Sequence, residues 1–206
     1  MESLLLPVFY IVVILYSVTI HEVSHGLMAN SLGDSTAKNL GRLSLNPLKH
    51  LDLFGSIILP FFLYLTTGFA FGYAKPVPYN PSNLNDRKMG PVKVAMAGPA
   101  SNFILALLFG ITLRFMPDVF SSSLVPELFS RIVMLNLVLG VFNMFPIPPL
   151  DGHWLLMAFL PPRMDAIKVW IYRNSFILFP LFLIVFMVFV SPLIYWLFRL
   201  ITGMGL

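Results

Sequence analysis

The sequence predicts an all-α polytopic membrane protein, with about four to five transmembrane helices, a re-entrant segment and a small β-hairpin-like element. Composition is the first observation: hydrophobic residues make up 58% of the 206 residues, charged residues 11%, and mean hydropathy is +0.85. A soluble domain carries about 25% charged residues, so this chain has too little charge to cover a water-facing surface. Five apolar stretches and clustered basic loops are the other two observations. Together they exclude a soluble enzyme, a disordered tail and a nucleic-acid module.

Each apolar stretch is long enough to cross about 30 Å of hydrocarbon as a helix of about 20 residues. The predicted elements are core spans at 4–27, 92–115 and 132–160, an additional span at 176–200, and a re-entrant segment or extra span at 53–71. Prolines interrupt the fourth stretch, where they remove amide donors and stop a regular helix. We expect residues 1–206 to form one membrane-embedded domain.

The distribution of basic residues favours a re-entrant second stretch. If that stretch enters and leaves on one side, 10 of the 13 basic residues lie inside, and only Arg114, Arg131 and Arg199 lie outside. If the stretch spans, the split is six against seven, which is no bias. The positive-inside tendency therefore favours four spans with the N-terminus outside. A simple fifth span is the alternative.

Two short segments that flank the second stretch, Gly41–Leu45 and Gly72–Pro78, have the pattern of paired strands. They can pair only if both lie on the same side of the membrane. The positions around Leu43 and Val77 then offer an edge to which an extended substrate segment could add.

The first stretch ends in the motif that indicates metal-dependent chemistry, His21-Glu22-Val23-Ser24-His25. Residues four apart share a helical face, so both imidazoles can reach one metal ion. Glu22 lies beside that position and can take a proton from metal-activated water. Titratable groups within an apolar span are costly and are functional by default. A purely structural set of polar residues at an interfacial helix end is the alternative.

A catalytic zinc site normally has three protein ligands and one open position. Asp151 is the leading acidic candidate, because it follows a proline-rich segment at membrane depth, where unwound backbone is tolerated beside a cavity. In the four-span topology it reaches a depth similar to that of His21. His153 and His50 compete for the third position, although His153 has the position of a packing residue.

Three further residues are candidates for substrate, oxyanion or supporting roles. Asn102 opens the third span within Gly98–Asn102, and as a site residue its amide could bind the developing oxyanion. A helix-contact amide is the equal alternative for Asn102. Asn46 and His50 belong to a predicted turn and could support the site or contact the substrate.

These pieces together resemble the site-2 protease family of intramembrane zinc metalloproteases. The matching pieces, in this order, are His21–His25, Asn46–His50, Gly98–Asn102, and Asn143–Gly152 with its Leu-Asp-Gly end. Each of the last two is weak alone, but the order is specific. The similarity covers about three quarters of the chain and is closest to the small prokaryotic branch, and we expect no PDZ or CBS domain.

The resemblance implies one Zn²⁺ bound by His21, His25 and Asp151, with Glu22 as general base. It also implies hydrolysis of a peptide bond in or near a transmembrane segment of a membrane protein, the step that defines regulated intramembrane proteolysis. The implied location is a multi-pass position in the prokaryotic cell membrane, with the active site towards the cytosol. The expected partners are a transmembrane substrate and the lipid bilayer, with no nucleic acid.

Two other function classes remain open at this point. A divalent-metal transporter would use the histidines as a transit site, and it predicts acidic or histidine pairs along a through-path. A non-catalytic relative would bind membrane segments without cleaving them. The retained Glu22 beside two histidines favours hydrolysis over both.

Overall fold

The computed structural model describes residues 2–68, 72–115 and 124–204, and the chain divides into two compact units, Met1–Gly90 and Pro91–Leu206. The described ranges are helical with short connections and contain no β-strand. The all-α polytopic prediction is thereby confirmed. In these ranges three helices are long and apolar enough to span a membrane, and the count rises to four if one bent helix pair is a single span.

The first unit begins with the long helix α1, Glu2–Ser31, whose apolar part Leu5–Ser31 is a candidate span. Helix α1 contains the predicted span at 4–27 and extends one turn beyond it. The chain then turns at Gly33, whose φ of 106° lies in the left-handed region that glycine adopts at low cost. A one-turn helix α2, Thr36–Asn39, and a 3₁₀ turn, Pro47–Lys49, follow.

The second apolar stretch folds back on itself within the first unit. It starts as a π-helical turn, Leu53–Ile58, continues as α3, Leu59–Thr67, and ends at Gly68 in the left-handed region. Residues 69–71 of the predicted 53–71 segment lie outside the described residues. The Tyr73 amide then donates to the Gly55 carbonyl oxygen at 3.0 Å. The chain therefore returns to the first turn of this helical segment.

The two segments predicted as a hairpin have no strand geometry, but they lie together. The Arg42 Nη2 atom donates to the carbonyl oxygens of Lys75 at 3.0 Å and Pro76 at 3.4 Å. Pro76 and Pro78 have no amide hydrogen, which prevents a continuous ladder along the second segment. The hydrogen bonds between these two segments are therefore made by the Arg42 side chain, where the sequence predicted backbone pairing of two strands.

Asp34 anchors the end of α1 to a later 3₁₀ turn, Pro81–Asn83. Its fully buried carboxylate accepts hydrogen bonds from the Thr36 amide and hydroxyl, the Asn80 amide and the Asn83 side chain, at 2.5–3.2 Å. Burial by itself raises the pKa of Asp34, but these hydrogen bonds outweigh burial and hold the pKa below its ordinary value.

Helix α4, Gly90–Phe115, lies in the second unit from Pro91 onwards and agrees with the predicted span at 92–115. Helix α5, Leu124–Asn143, differs from the predicted span at 132–160 at both ends. Helix α5 begins before the predicted start at residue 132, because Pro126 is tolerated in a first turn and Glu127 pairs with Arg131 one turn later. The predicted 132–160 stretch is broken after Asn143 and resumes as α6, Gly152–Phe159.

The region predicted as a loop between the last two stretches is largely helical. A 3₁₀ turn, Pro162–Met164, leads into α7, Asp165–Arg173, which an ion pair between Lys168 and Asp165 supports at 2.9 Å. The predicted 176–200 span is α8, Ser175–Val185, a π-helical turn, and α9, Ser191–Thr202. The chain bends by 78° between Pro162–Arg173 and α8.

An aromatic core holds the second unit together. Phe182, Phe186 and Phe198 are almost completely buried. The ring of Phe142 on α5 lies 5.4 Å from that of Phe182 and 5.2 Å from that of Phe186. Such ring pairs stabilise packing beyond the area they bury, and they hold α5, and hence the break that follows it, against the last helices.

Candidate metal centre

Helix α1 brings His21 and His25 together near its C-terminal end. Their Nε2 atoms lie 3.1 Å apart, and the two rings meet edge to face with centroids separated by 4.7 Å. The i, i+4 spacing produces this arrangement, because side chains one turn apart lie above one another on the same helical face. His21 is buried.

The spacing of these two nitrogens can be compared with the geometry of a metal site. Two Zn–N bonds of about 2.0–2.1 Å in a tetrahedral arrangement place the nitrogens about 3.3–3.4 Å apart. The observed 3.1 Å is close to that value. The separation of the two nitrogens is therefore compatible with their binding one cation, and imidazole is a common zinc ligand.

Glu22 follows His21 on α1 and contacts a distant part of the first unit. Its Oε2 atom accepts a hydrogen bond of 2.9 Å from the backbone N–H of Val77. Val77 is buried, and its side chain packs against Gly26, where an added Cβ would lie 2.7 Å from Val77 Cγ1. The carboxylate that sequence analysis assigns as a base is thus held from outside its own helix.

Asp151 lies in the second unit, directly before α6 and after the break that follows Asn143. Gly152 permits the close turn there, since an added Cβ would lie 2.0 Å from the Met144 carbonyl oxygen. Asp151 is partly buried, and its carboxylate makes no capping hydrogen bond to α6. The ordinary structural role of an aspartate at a helix start is therefore not the role of Asp151.

Asn102 connects two helices of the second unit. Its Nδ2 atom donates to Asn136 Oδ1 at 2.9 Å, and both residues are fully buried. This bond joins α4 to α5 and matches the helix-contact alternative for Asn102. An oxyanion role, which stays a prediction, requires an Nδ2 hydrogen other than the one given to Asn136.

The predicted turn of Asn46 and His50 is present in the first unit. The Asn46 side chain accepts from the Leu48 amide at 3.0 Å and caps the 3₁₀ turn. His50 is buried, with Nε2 2.8 Å from the Ser44 carbonyl oxygen, and its own carbonyl accepts from the Lys75 amide at 2.8 Å. Both residues thus shape the turn next to the Lys75–Pro78 segment.

His153, which competes with Asp151 in the sequence, has packing contacts. Its Nδ1 atom lies 2.6 Å from the Leu150 carbonyl oxygen, and its ring lies 4.9 Å from the Trp154 ring and 5.7 Å from that of Tyr172. One ring nitrogen is therefore engaged with the backbone of the preceding turn.

Sequence analysis did not predict the contact between Glu22 and Val77. The available signal was the Pro76-Val77-Pro78 tripeptide, because two prolines leave Val77 as its single amide donor. The partner of that donor depends on tertiary packing and could not be read from the sequence.

Comparison with known proteins gives one family match and several relatives. The family model described as "Peptidase family M50" matches residues 9–124 and 118–187. The protein named "Putative zinc metalloprotease YwhC" of Bacillus subtilis (strain 168) is 38% identical over 192 residues, which cover 90% of this chain and 81% of that protein.

A second relative is "Putative zinc metalloprotease Rip2" of Mycolicibacterium smegmatis, 33% identical over 153 residues that cover 72% of this chain and 56% of that protein. The protein of the same name from Mycobacterium tuberculosis (strain H37Rv) is 28% identical over 149 residues, with the same two coverages. This chain thus corresponds to about half the length of these mycobacterial relatives. No solved structure matches the chain.

Proposed function

The chain belongs to peptidase family M50, the site-2 protease family of zinc metalloproteases, and on this premise we propose that it hydrolyses a peptide bond in or near the transmembrane segment of a membrane protein. In this proposal one Zn²⁺ is bound by His21, His25 and Asp151, and Glu22 is the general base. The observation that carries the proposal is the pair of imidazole nitrogens 3.1 Å apart on an apolar helix, with Glu22 on the same turn.

Asp151 as third ligand is supported by its chemistry and by its local structure. A carboxylate completes a two-histidine set in several catalytic zinc sites. The break between α5 and α6 exposes irregular backbone, and such backbone at membrane depth occurs where it is buried in protein or lines a cavity. Asp151 stands at the end of this break, and its carboxylate does not cap α6.

When bound, Zn²⁺ supplies a Lewis acid that polarises a carbonyl and lowers the pKa of water. Glu22 takes a proton from water as the water oxygen forms its bond to the peptide carbon. As the C–N bond breaks, Glu22 gives that proton to the leaving amine. The reaction consumes one water and releases a new carboxyl terminus and a new amino terminus. His21 and His25 act as metal ligands in this proposal and take no part in the proton transfer.

The finer topology is also part of the proposal: four spans, one re-entrant segment at 53–71, and the N-terminus outside. The hydrogen bond from Tyr73 to Gly55 supports it, because a stretch that crossed the bilayer would carry these residues to opposite faces. The basic residues then concentrate on the side of the site. We therefore place the site towards the cytosolic face of the prokaryotic cell membrane.

The substrate must unwind locally in this proposal, because a helical segment has its carbonyl groups in its own hydrogen bonds. Addition of an extended substrate at the Leu43 and Val77 edge is constrained by the structure. The Val77 amide donates to Glu22, so an added strand has to use other amides of that edge.

The test uses the purified full-length chain. Metal analysis should give one zinc per chain, and a library of single-span segments should be cleaved without a zinc chelator and not with it. His21→Ala, His25→Ala and Asp151→Ala should each lower both zinc content and cleavage. Glu22→Gln should keep the zinc and lose about 10²- to 10⁴-fold in cleavage rate.

Other outcomes assign a different function. Zinc flux into proteoliposomes, with no cleavage by the wild type, would support a divalent-metal transporter. Binding of single-span segments that is unaffected by Glu22→Gln, again without cleavage, would support a non-catalytic relative. Full zinc content in Asp151→Ala would remove Asp151 from the ligand set and leave the histidines in it.

A further inference from the structure

We propose that the segment Lys75–Pro78 positions the general base, with the backbone N–H of Val77 as the group that holds the Glu22 carboxylate. The inference rests on the role of Glu22 in the proposed function. Val77 is a positioning residue here and has no direct part in the chemistry.

The contact itself is close and joins distant parts of the sequence. Val77 N lies 2.9 Å from Glu22 Oε2, and 55 residues separate the two in sequence. A hydrogen bond from a backbone amide to a carboxylate is charge-assisted, and it is stronger and more directional than one between neutral groups. It engages Oε2 and leaves Oε1 for the exchange of the proton.

The sequence of the segment limits which backbone groups can donate to Glu22. Pro76 and Pro78 have no N–H, so Val77 is the single backbone donor among these three residues. A residue before proline is restricted to extended or polyproline II conformations. Pro78 therefore limits the backbone conformations of Val77.

Three further hydrogen bonds hold the segment within the first unit. The Arg42 side chain donates to the carbonyl oxygens of Lys75 and Pro76, and the Lys75 amide donates to the His50 carbonyl oxygen. These bonds hold the residues directly before Val77. The donor to Glu22 is thus attached to the body of the protein by a side chain and by the backbone.

Gly26 allows the segment to approach α1 at the level of the motif. It lies four residues after Glu22 and shares its helical face. An added Cβ at Gly26 would lie 2.5 Å from Leu43 Cδ2 and 2.7 Å from Val77 Cγ1, both shorter than real contacts. A larger residue at 26 must therefore displace Leu43 and Val77.

Positioning matters because the side chain of Glu22 has several rotatable bonds. A general base acts only within hydrogen-bond reach of the proton that it takes. A carboxylate fixed by one oxygen needs less reordering when substrate arrives, which lowers the barrier of the chemical step. Loss of the Val77 donor should therefore lower kcat with little effect on KM.

The main test compares Val77→Pro with Val77→Ala in the purified full-length chain. Val77→Pro removes the donor, and a proline at 77 suits the polyproline II conformation that is open to a residue before proline. We expect kcat to fall about 10- to 100-fold, as for loss of a hydrogen bond to a charged group, with KM and bound zinc unchanged. Val77→Ala keeps the amide and should lose less. Equal kcat for Val77→Pro and wild type would overturn the inference.

A second test does not depend on how well the proline variant folds. Gly26→Ala should lower kcat by displacing the segment, and the triple variant Gly26→Ala, Leu43→Ala, Val77→Ala should recover it, since both clashing side chains are then shortened. In ¹⁵N-valine-labelled protein, the Val77 amide resonance should move when Glu22→Gln removes the charged acceptor. No rescue together with no movement of this resonance would overturn the inference.

The proposed function and this inference can fail separately. If Glu22→Gln cleaves as well as wild type, the proposed role of Glu22 fails and the inference fails with it. If Glu22→Gln loses cleavage while Val77→Pro retains full kcat, only the inference fails.

Discussion

Two carboxylates near the same end of α1, those of Glu22 and Asp34, have opposite surroundings. Asp34 is fully buried and accepts from four donors on Thr36, Asn80 and Asn83. Glu22 is partly buried and, among the described residues, has one donor, the amide of Val77. The fully bonded carboxylate is an anchor of the fold. Glu22, which accepts a single hydrogen bond within the described part of the chain, is the carboxylate suited to exchange a proton.

The difference between Asp34 and Glu22 indicates that one carboxylate stabilises the fold and the other serves the proposed reaction. A buried carboxylate whose hydrogen bonds are all made stabilises the fold. A carboxylate that is held by one hydrogen bond can still accept a proton, which is what catalysis requires. Removing the first should therefore change stability and removing the second should change activity. The predictions below separate these two effects.

The largest expected effect is on stability at Asp34. Asp34→Ala should lower the free energy of unfolding by on the order of 2–3 kcal/mol, because several donors lose a charged acceptor and only some of them can be reached by water. Glu22→Ala is the matched control, and in metal-free protein it should lower that free energy by only about 1 kcal/mol, because one donor, the Val77 amide, loses its acceptor. Denaturant unfolding of the detergent-solubilised chain measures both. Equal losses would show that the two carboxylates do not differ as proposed.

The pH dependence of stability sharpens the same comparison. The pKa of Asp34 is lowered in the folded chain, so its contribution is fully present above the ordinary value of about 3.9 and is lost as pH falls through the lower folded value. The free-energy difference between wild type and Asp34→Asn should therefore shrink below about pH 4, by at most about 1.4 kcal/mol per pH unit. Unfolding measured between pH 7 and pH 3 tests this, and a difference that grows on acidification contradicts the direction of the shift.

The fold could be predicted from the sequence where one physical effect dominates. The apolar stretches determine the long helices α1 and α4, because hydrocarbon forces the backbone to bond within each segment. The prolines after Asn143 determine the break before α6. The prediction missed α7 because it rested on long apolar stretches, and α7 is a short amphipathic helix. It also expected paired strands where the Arg42 side chain joins the two segments instead.

The candidate site shows the same division. The spacing of His21 and His25 is a local property of a helix, and the structure places them together as that spacing requires. Glu22 and Asp34 also depend on hydrogen-bond donors more than forty residues away in sequence, at Val77 and Asn80. Such contacts depend on how the 53–67 segment folds back, and no local pattern encodes them.

The smallest expected effect concerns Asn102, whose amide is shared between a structural bond and a predicted oxyanion role. Asn102→Ala and Asn136→Ala should show a coupling of about 0.6–1.7 kcal/mol in the free energy of unfolding, the range for polar pairs between membrane helices. A double-mutant cycle measures it. If the bond to Asn136 is the whole role of Asn102, both single variants should lower kcat equally, because both loosen the α4–α5 contact. A larger loss in Asn102→Ala at matched zinc content would assign this amide to the oxyanion.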